Sequence, residues 1–179
     1  MADASVDDAQ GDLPEADPEQ VARAIVLRQL TLGPRTRAQL AAVLARRRVP
    51  DEAATRVLDR FTEVGLVDDQ AFAESWVESR HTGRGLARRA LAHELRQRGV
   101  ADPLVAQAVA DLDPERELAT ARALVDRRLA ATRGLDPAAR ARRLVGLLAR
   151  KGYPPGLALR VVREALAADG TEVDVEAER

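Results

Sequence analysis

Apolar residues recur along this chain at spacings of three and four, and Gly or Pro interrupts the pattern at intervals, which predicts a succession of short helices. A first helix over about 19–30 stops at Gly33-Pro34, and Thr36 with Gln39 three residues on forms a capping-box signature opening a second over about 37–47. A third, about 51–64, carries Ala54, Val57, Leu58 and Phe61 as one apolar stripe and ends at Gly65. Helices over about 69–81, 86–98 and 102–111 follow, with breaks expected at Gly83, Gly85 and Gly99. Phe72, Trp76 and Val77 are expected to turn inward. Asp113-Pro114 and Asp136-Pro137 each pair a favoured N-cap with Pro at the first helical position, opening helices of about 114–132 and 137–150. A ninth runs from about 154 to 168. No segment alternates with period two as a half-buried strand does.

The pattern repeats. LAAVLARRRV from Leu40, LAHELRQRGV from Leu91 and LVGLLARKGY from Leu144 superpose with offsets of 51 and 53 residues, and the apolar positions stay in phase into Val57-Leu58, Ala108-Val109 and Val161-Val162. The expected fold is therefore all-α: three tandem three-helix repeats forming an elongated, curved body, with repeats at 21–67, 68–112 and 113–168. Arg48 stands where the later repeats have Gly99 and Gly152, so the first turn is expected to differ in backbone geometry.

Composition narrows the classes. Thirty-five Ala and 23 Leu against one Ile and four aromatic residues argue against a β-sandwich or barrel. With no Cys, and with only His81 and His93, disulfides, thiolate catalysis and the usual zinc sites are excluded. No apolar run approaches the ~20 residues of a membrane span, and the acidic start differs from a secretory signal, so a cytoplasmic protein is expected. The net charge of -1 conceals segregation: residues 1–20 hold seven acids and no base, and 169–179 hold five acids and one base. Both stretches read as disordered acidic tails, leaving a net charge of +10 on residues 21–168. Such a body suits an acidic or polyanionic partner.

Catalytic constellations are lacking. Asp68 and Asp69, adjacent at a helix start, read as caps, and Trp76 as core packing. Gly83-Arg84-Gly85 follows no strand and lacks the third glycine of a dinucleotide fingerprint. Neither His has triad partners in view. No catalytic residue, metal or cofactor is expected.

The stretch GLVDDQAFAESWVESR at 65–80, followed by Gly83-Arg84-Gly85 and by HELRQRGV at 93–100, resembles the RecX family, whose members carry these elements in this order. RKGYPP at 150–155 is similar to the family's basic-Gly-aromatic ending, and the resemblance extends over about 21–166. It implies an all-helical protein that binds the RecA recombinase filament on single-stranded DNA and restrains it without catalysis. Weak direct contact with DNA, no membrane and a monomeric state accompany that expectation.

The candidate partner-binding residues are Arg46, Arg47, Arg84, Arg88, Arg89, Arg96, Arg98, Arg127, Arg128, Arg140, Arg142, Arg143, Arg150 and Lys151. Cations at helix C-termini are stabilising by roughly 0.3–1 kcal/mol through the helix dipole, which accounts for where some of them stand but not for how many there are. Guanidinium forks along one concave face would pair carboxylates or phosphates. Two other functions fit less of the sequence. Residues 36–67 resemble the helical part of a winged-helix DNA-binding module, and a helical-repeat scaffold for another acidic partner shares the periodicity.

Overall fold

The computed structural model describes residues 17–170, which form nine α-helices. These are α1 (Pro18–Thr31), α2 (Arg37–Arg46), α3 (Asp51–Glu63), α4 (Asp69–Arg84), α5 (Arg88–Gln97), α6 (Asp102–Ala110), α7 (Pro114–Leu129), α8 (Pro137–Arg150) and α9 (Pro155–Ala168). A short 3-10 turn, Ala130–Thr132, follows α7. Among the described residues there is no strand, so the winged-helix alternative has no wing: α4 occupies its place.

Each trio of helices packs mainly on itself and encloses its own core. Aspartate begins the first helix of every trio, where a short carboxylate satisfies an amide that the helix leaves free. Asp17 accepts from the Glu19 amide (3.0 Å), Asp68 from Ala71 (2.9 Å) and Asp113 from Glu115 (3.0 Å). The second helices supply the deepest apolar side chains. Leu40, Leu91 and Leu144 are at most 1% exposed and Leu44, Leu95 and Leu148 fully buried, each stabilising its core by about 1.5–3 kcal/mol. The repeat read from the sequence is thus a repeat of buried positions.

Neighbouring modules are locked by bonds that themselves repeat. The N-cap of one second helix reaches the C-cap carbonyl of the next: Thr36 Oγ1 donates to Arg98 O (2.7 Å), and the Ala87 amide to Lys151 O (2.9 Å). An acid on the first helix of the following module then caps the preceding second helix. Asp69 Oδ1 accepts from the Arg37 amide (2.8 Å), and Glu117 Oε1 from the Arg88 amide (3.0 Å). Asp68 and Asp69 are both caps, as expected, but of two different helices. Tyr153 Oη donates to Gly85 O (3.2 Å), and His81, 1% exposed, donates from Nδ1 to Leu86 O (2.9 Å) while its Nε2 faces Thr120.

Several boundaries differ from the sequence reading. Gly83 lies inside α4, and the break falls at Gly85, whose left-handed φ of 62° ends the helix. Leu86 and Ala87 are buried but lie before α5, with the Ala87 amide donating to Lys151 O. Arg48 adopts a φ of 60°, close to Gly99 (78°) and Gly152 (88°), so the first turn keeps the shared geometry despite its side chain. At the edges of the expected tails, Asp17 is the N-cap of α1, Glu19 lies within α1 and accepts from Arg56 Nε (2.6 Å), and Asp169 is the C-cap of α9. The remainder of both expected disordered segments, 1–16 and 171–179, lies outside the described residues.

Candidate partner-binding surface

Helix ends position most of the candidate cations. Arg46 and Arg47 close α2, and Arg150 closes α8, where the amphipathic pattern that buries the leucines leaves the basic residues in solvent. Arg46, Arg47, Arg89, Arg127, Arg128, Arg142, Arg143 and Arg150 are exposed, and among the described residues no carboxylate pairs with any of them. Arg128, Arg143 and Arg150 share one cleft of about 210 Å³ between the end of α7 and α8, floored by Leu144 and Leu147. Three guanidinium groups around one concavity, with no counter-ion from the described residues, are suited to grip carboxylate or phosphate oxygens.

The other candidates are engaged to differing degrees. Arg140 is a correction: it is 5% exposed rather than a surface cation, with Nη2 donating to Asp169 (2.6 Å) and Nε to Thr132 Oγ1 (3.2 Å), so it fastens the end of the third module. A side chain in the body of an amphipathic helix cannot be told from its exposed neighbours by type alone. Arg88 donates to Leu112 O and lies 3.8 Å from buried Glu117. Arg96 pairs with Asp102 (2.7 Å), and Arg84 approaches Glu94 (3.6 Å). Lys151 Nζ donates to Arg84 O (2.6 Å), and burial, then the neighbouring Arg84 and Arg127 charges, push its pKa down.

Arg98 has a different role. Its guanidinium carbon lies 3.7 Å from the centroid of Trp76, and that of Arg80 lies 4.1 Å away. The indole also stacks on Phe72 at 5.7 Å and donates from Nε1 to Glu94 (2.9 Å). Trp76 packs against the second core as expected, but it is only half-buried and also borders a cleft between the first two modules. Sequence reasoning missed this arrangement. Arg98, the C-cap of α5, is separated from Trp76 by a helix boundary and has no fixed spacing to reveal it.

Among the described residues no group of His, Asp and Glu could hold a metal ion, and no helix is long and apolar enough to cross a membrane.

Comparison with known proteins agrees with this architecture module by module. Residues 22–61, 68–109 and 115–162 match the family models for the first, second and third three-helix domains of RecX. The chain is 65% identical over 153 residues to the regulatory protein RecX of Thermobifida fusca (strain YX), covering 86% of this chain and 83% of that one. It is 61% identical over 161 residues to the regulatory protein RecX of Streptomyces coelicolor, covering 90% and 86%. The crystal structure of RecX from Lactobacillus salivarius shares the fold with a TM-score of 0.78 at 15% identity, over 84% of this chain and 97% of that one. With each three-helix unit matched in order and relatives this similar along most of their length, the chain belongs to the RecX family.

Proposed function

We propose that this chain is a stoichiometric, non-catalytic regulator that binds the RecA recombinase filament on single-stranded DNA and restrains its ATP hydrolysis and strand exchange. It would act in the cytoplasm to modulate homologous recombination and DNA repair, including the SOS response. The observation that carries this reading is the set of eight exposed arginines, from Arg46 in the first module to Arg150 in the third, that no carboxylate of the described residues neutralises. Membership of a family whose relatives are named regulatory proteins supports it. A filament of protein and nucleic acid offers acidic groups at many places. Three modules in series can meet several of them at once, so modest individual contacts combine into firm binding.

Steady-state ATPase of the recombinase on single-stranded DNA tests the proposal. Addition of this protein should slow hydrolysis at concentrations where binding to naked DNA is negligible. Unchanged hydrolysis, or inhibition that simply follows occupancy of free DNA, would overturn it.

A further inference from the structure

Between the first and second modules lies a cleft of about 370 Å³, distinct from the one that Arg128, Arg143 and Arg150 share. Its apolar lining includes Leu30 and Pro34 from the end of α1 and the turn after it, Leu66 from the α3–α4 turn, and Phe72 and Trp76 from α4. Apolar surface also continues outward in solvent, since Leu66 is 52% exposed and nearby Leu32, between Leu30 and Pro34 in the chain, is 71% exposed. Large apolar side chains left in water beside a concave apolar surface mark a place where another apolar group is buried.

The charge around this cleft says what that group is attached to. Arg35 lines it, and Arg80 and Arg98 stand over Trp76. The Nε atoms of all three are buried without a hydrogen-bond partner, Arg80 Nε lying 3.9 Å from Glu94 Oε2. The acids close by are already in use: Asp68 caps α4, and Glu94 takes the Trp76 Nε1 hydrogen bond and pairs with Arg80 and Arg84. We propose that this cleft is a docking site for an acidic peptide segment carrying a bulky apolar side chain, which enters between Leu66, Phe72 and Trp76 while flanking carboxylates meet Arg35, Arg80 and Arg98. A peptide is favoured over a polynucleotide because the indole already holds Phe72 and two guanidinium groups against it. A stacking base would have to displace one of them.

Trp76 is the only tryptophan, so the intrinsic fluorescence of the full chain reports on the cleft directly. The probe is an eight-residue peptide with Leu-Phe at its centre and three acidic residues on either side. Its controls are the same peptide with Ser-Ser at the centre and a twelve-nucleotide oligo-dT. The Leu-Phe peptide should shift the emission saturably and bind at least tenfold more tightly than either control. Leu66→Asp, at a half-exposed position, and Arg35→Glu should each weaken it at least fivefold while the far-UV circular dichroism stays unchanged. Equal binding of the Ser-Ser peptide or of oligo-dT, no saturable shift, or unaltered affinity in both variants would overturn the proposal.

Discussion

Gly99 stands so close to Ala38 that a Cβ at position 99 would lie 2.3 Å from the alanine Cβ. The contact joins the turn after α5 to the first turn of α2, one module back. Gly152 repeats it, with a Cβ there falling 2.5 Å from the Ala90 amide nitrogen in the first turn of α5. Glycine is therefore required twice over at these turns, by a positive φ and by the approach of the preceding module. At Arg48 the positive φ is met by a side-chain-bearing residue, at the cost of a left-handed backbone.

Gly99→Ala and Gly152→Ala should each destabilise the fold by about 2–4 kcal/mol, combining a left-handed alanine with overpacking against an immovable helix start. Arg48→Gly should instead be neutral or stabilise by up to about 1 kcal/mol, since relief of the left-handed arginine outweighs the added freedom of the unfolded chain. Urea denaturation of the three variants checks the opposite signs.

Asp69 and Glu117 test whether the modules fold as one unit. Ala87, the N-cap of α5, makes no side-chain cap, so Glu117 takes over from across the module boundary. Glu117→Ala should cost about 1–3 kcal/mol by leaving the part-buried Arg88 amide unmet, and Asp69→Ala about 1 kcal/mol because Thr36 and Gln39 still cap α2. Loss of these caps should also separate the unfolding of adjacent modules, seen as non-coincident transitions by Trp76 fluorescence and by circular dichroism.

Glu78 on α4 receives two hydrogen bonds from Arg116 on α7, both at 2.6 Å, and these, with the Thr82 hydroxyl, hold its pKa down at about 2. In the unfolded chain the same carboxyl titrates near 4.5. Between those values the unfolded state binds the extra proton, so the contribution is complete above pH 4.5 and fades as the pH falls towards 2. Melting temperatures of the parent and of Glu78→Gln should differ by a constant amount above pH 4.5 and converge below it. The pair is exposed, so the gap should be small and shrink further in high salt.

What the sequence made legible was what local chemistry decides. The Asp-Pro starts, the Thr36–Gln39 box and the phase of Leu40, Leu91 and Leu144 each depend on residues within a turn or two, and each lies where the pattern put it. What was not legible depends on partners far along the chain. Glu117 reaches Arg88 across 29 residues and Thr36 reaches Arg98 across 62, with no spacing rule to reveal either bond. The end of α4 at Gly85 rather than 81 follows from which of two glycines meets the left-handed position. Arg140 is the clearest case at the candidate site: in the sequence it resembles Arg142 and Arg143, and only the return of α9, which brings Asp169 beside it, separates its role from theirs.

That separation gives the sharpest test of the binding surface. If exposed guanidinium groups do the gripping, Arg128→Glu, Arg143→Glu and Arg150→Glu together should reverse the charge of the cleft they share without replacing a residue of any of the three cores. Filament affinity should then fall at least tenfold, and the slope of log affinity against log salt should flatten by roughly 0.7 for each lost phosphate contact on a single strand. The variant should keep its melting temperature within a few degrees. Arg140→Met behaves in the opposite way. It retains much of the apolar stem but leaves Asp169 with Arg133 alone, so it should lower the melting temperature by several degrees with the salt slope unchanged. Equal effects of the two changes on binding and stability would mean that the arginines act only through the fold. A fall in affinity confined to the triple variant places the partner against the third module.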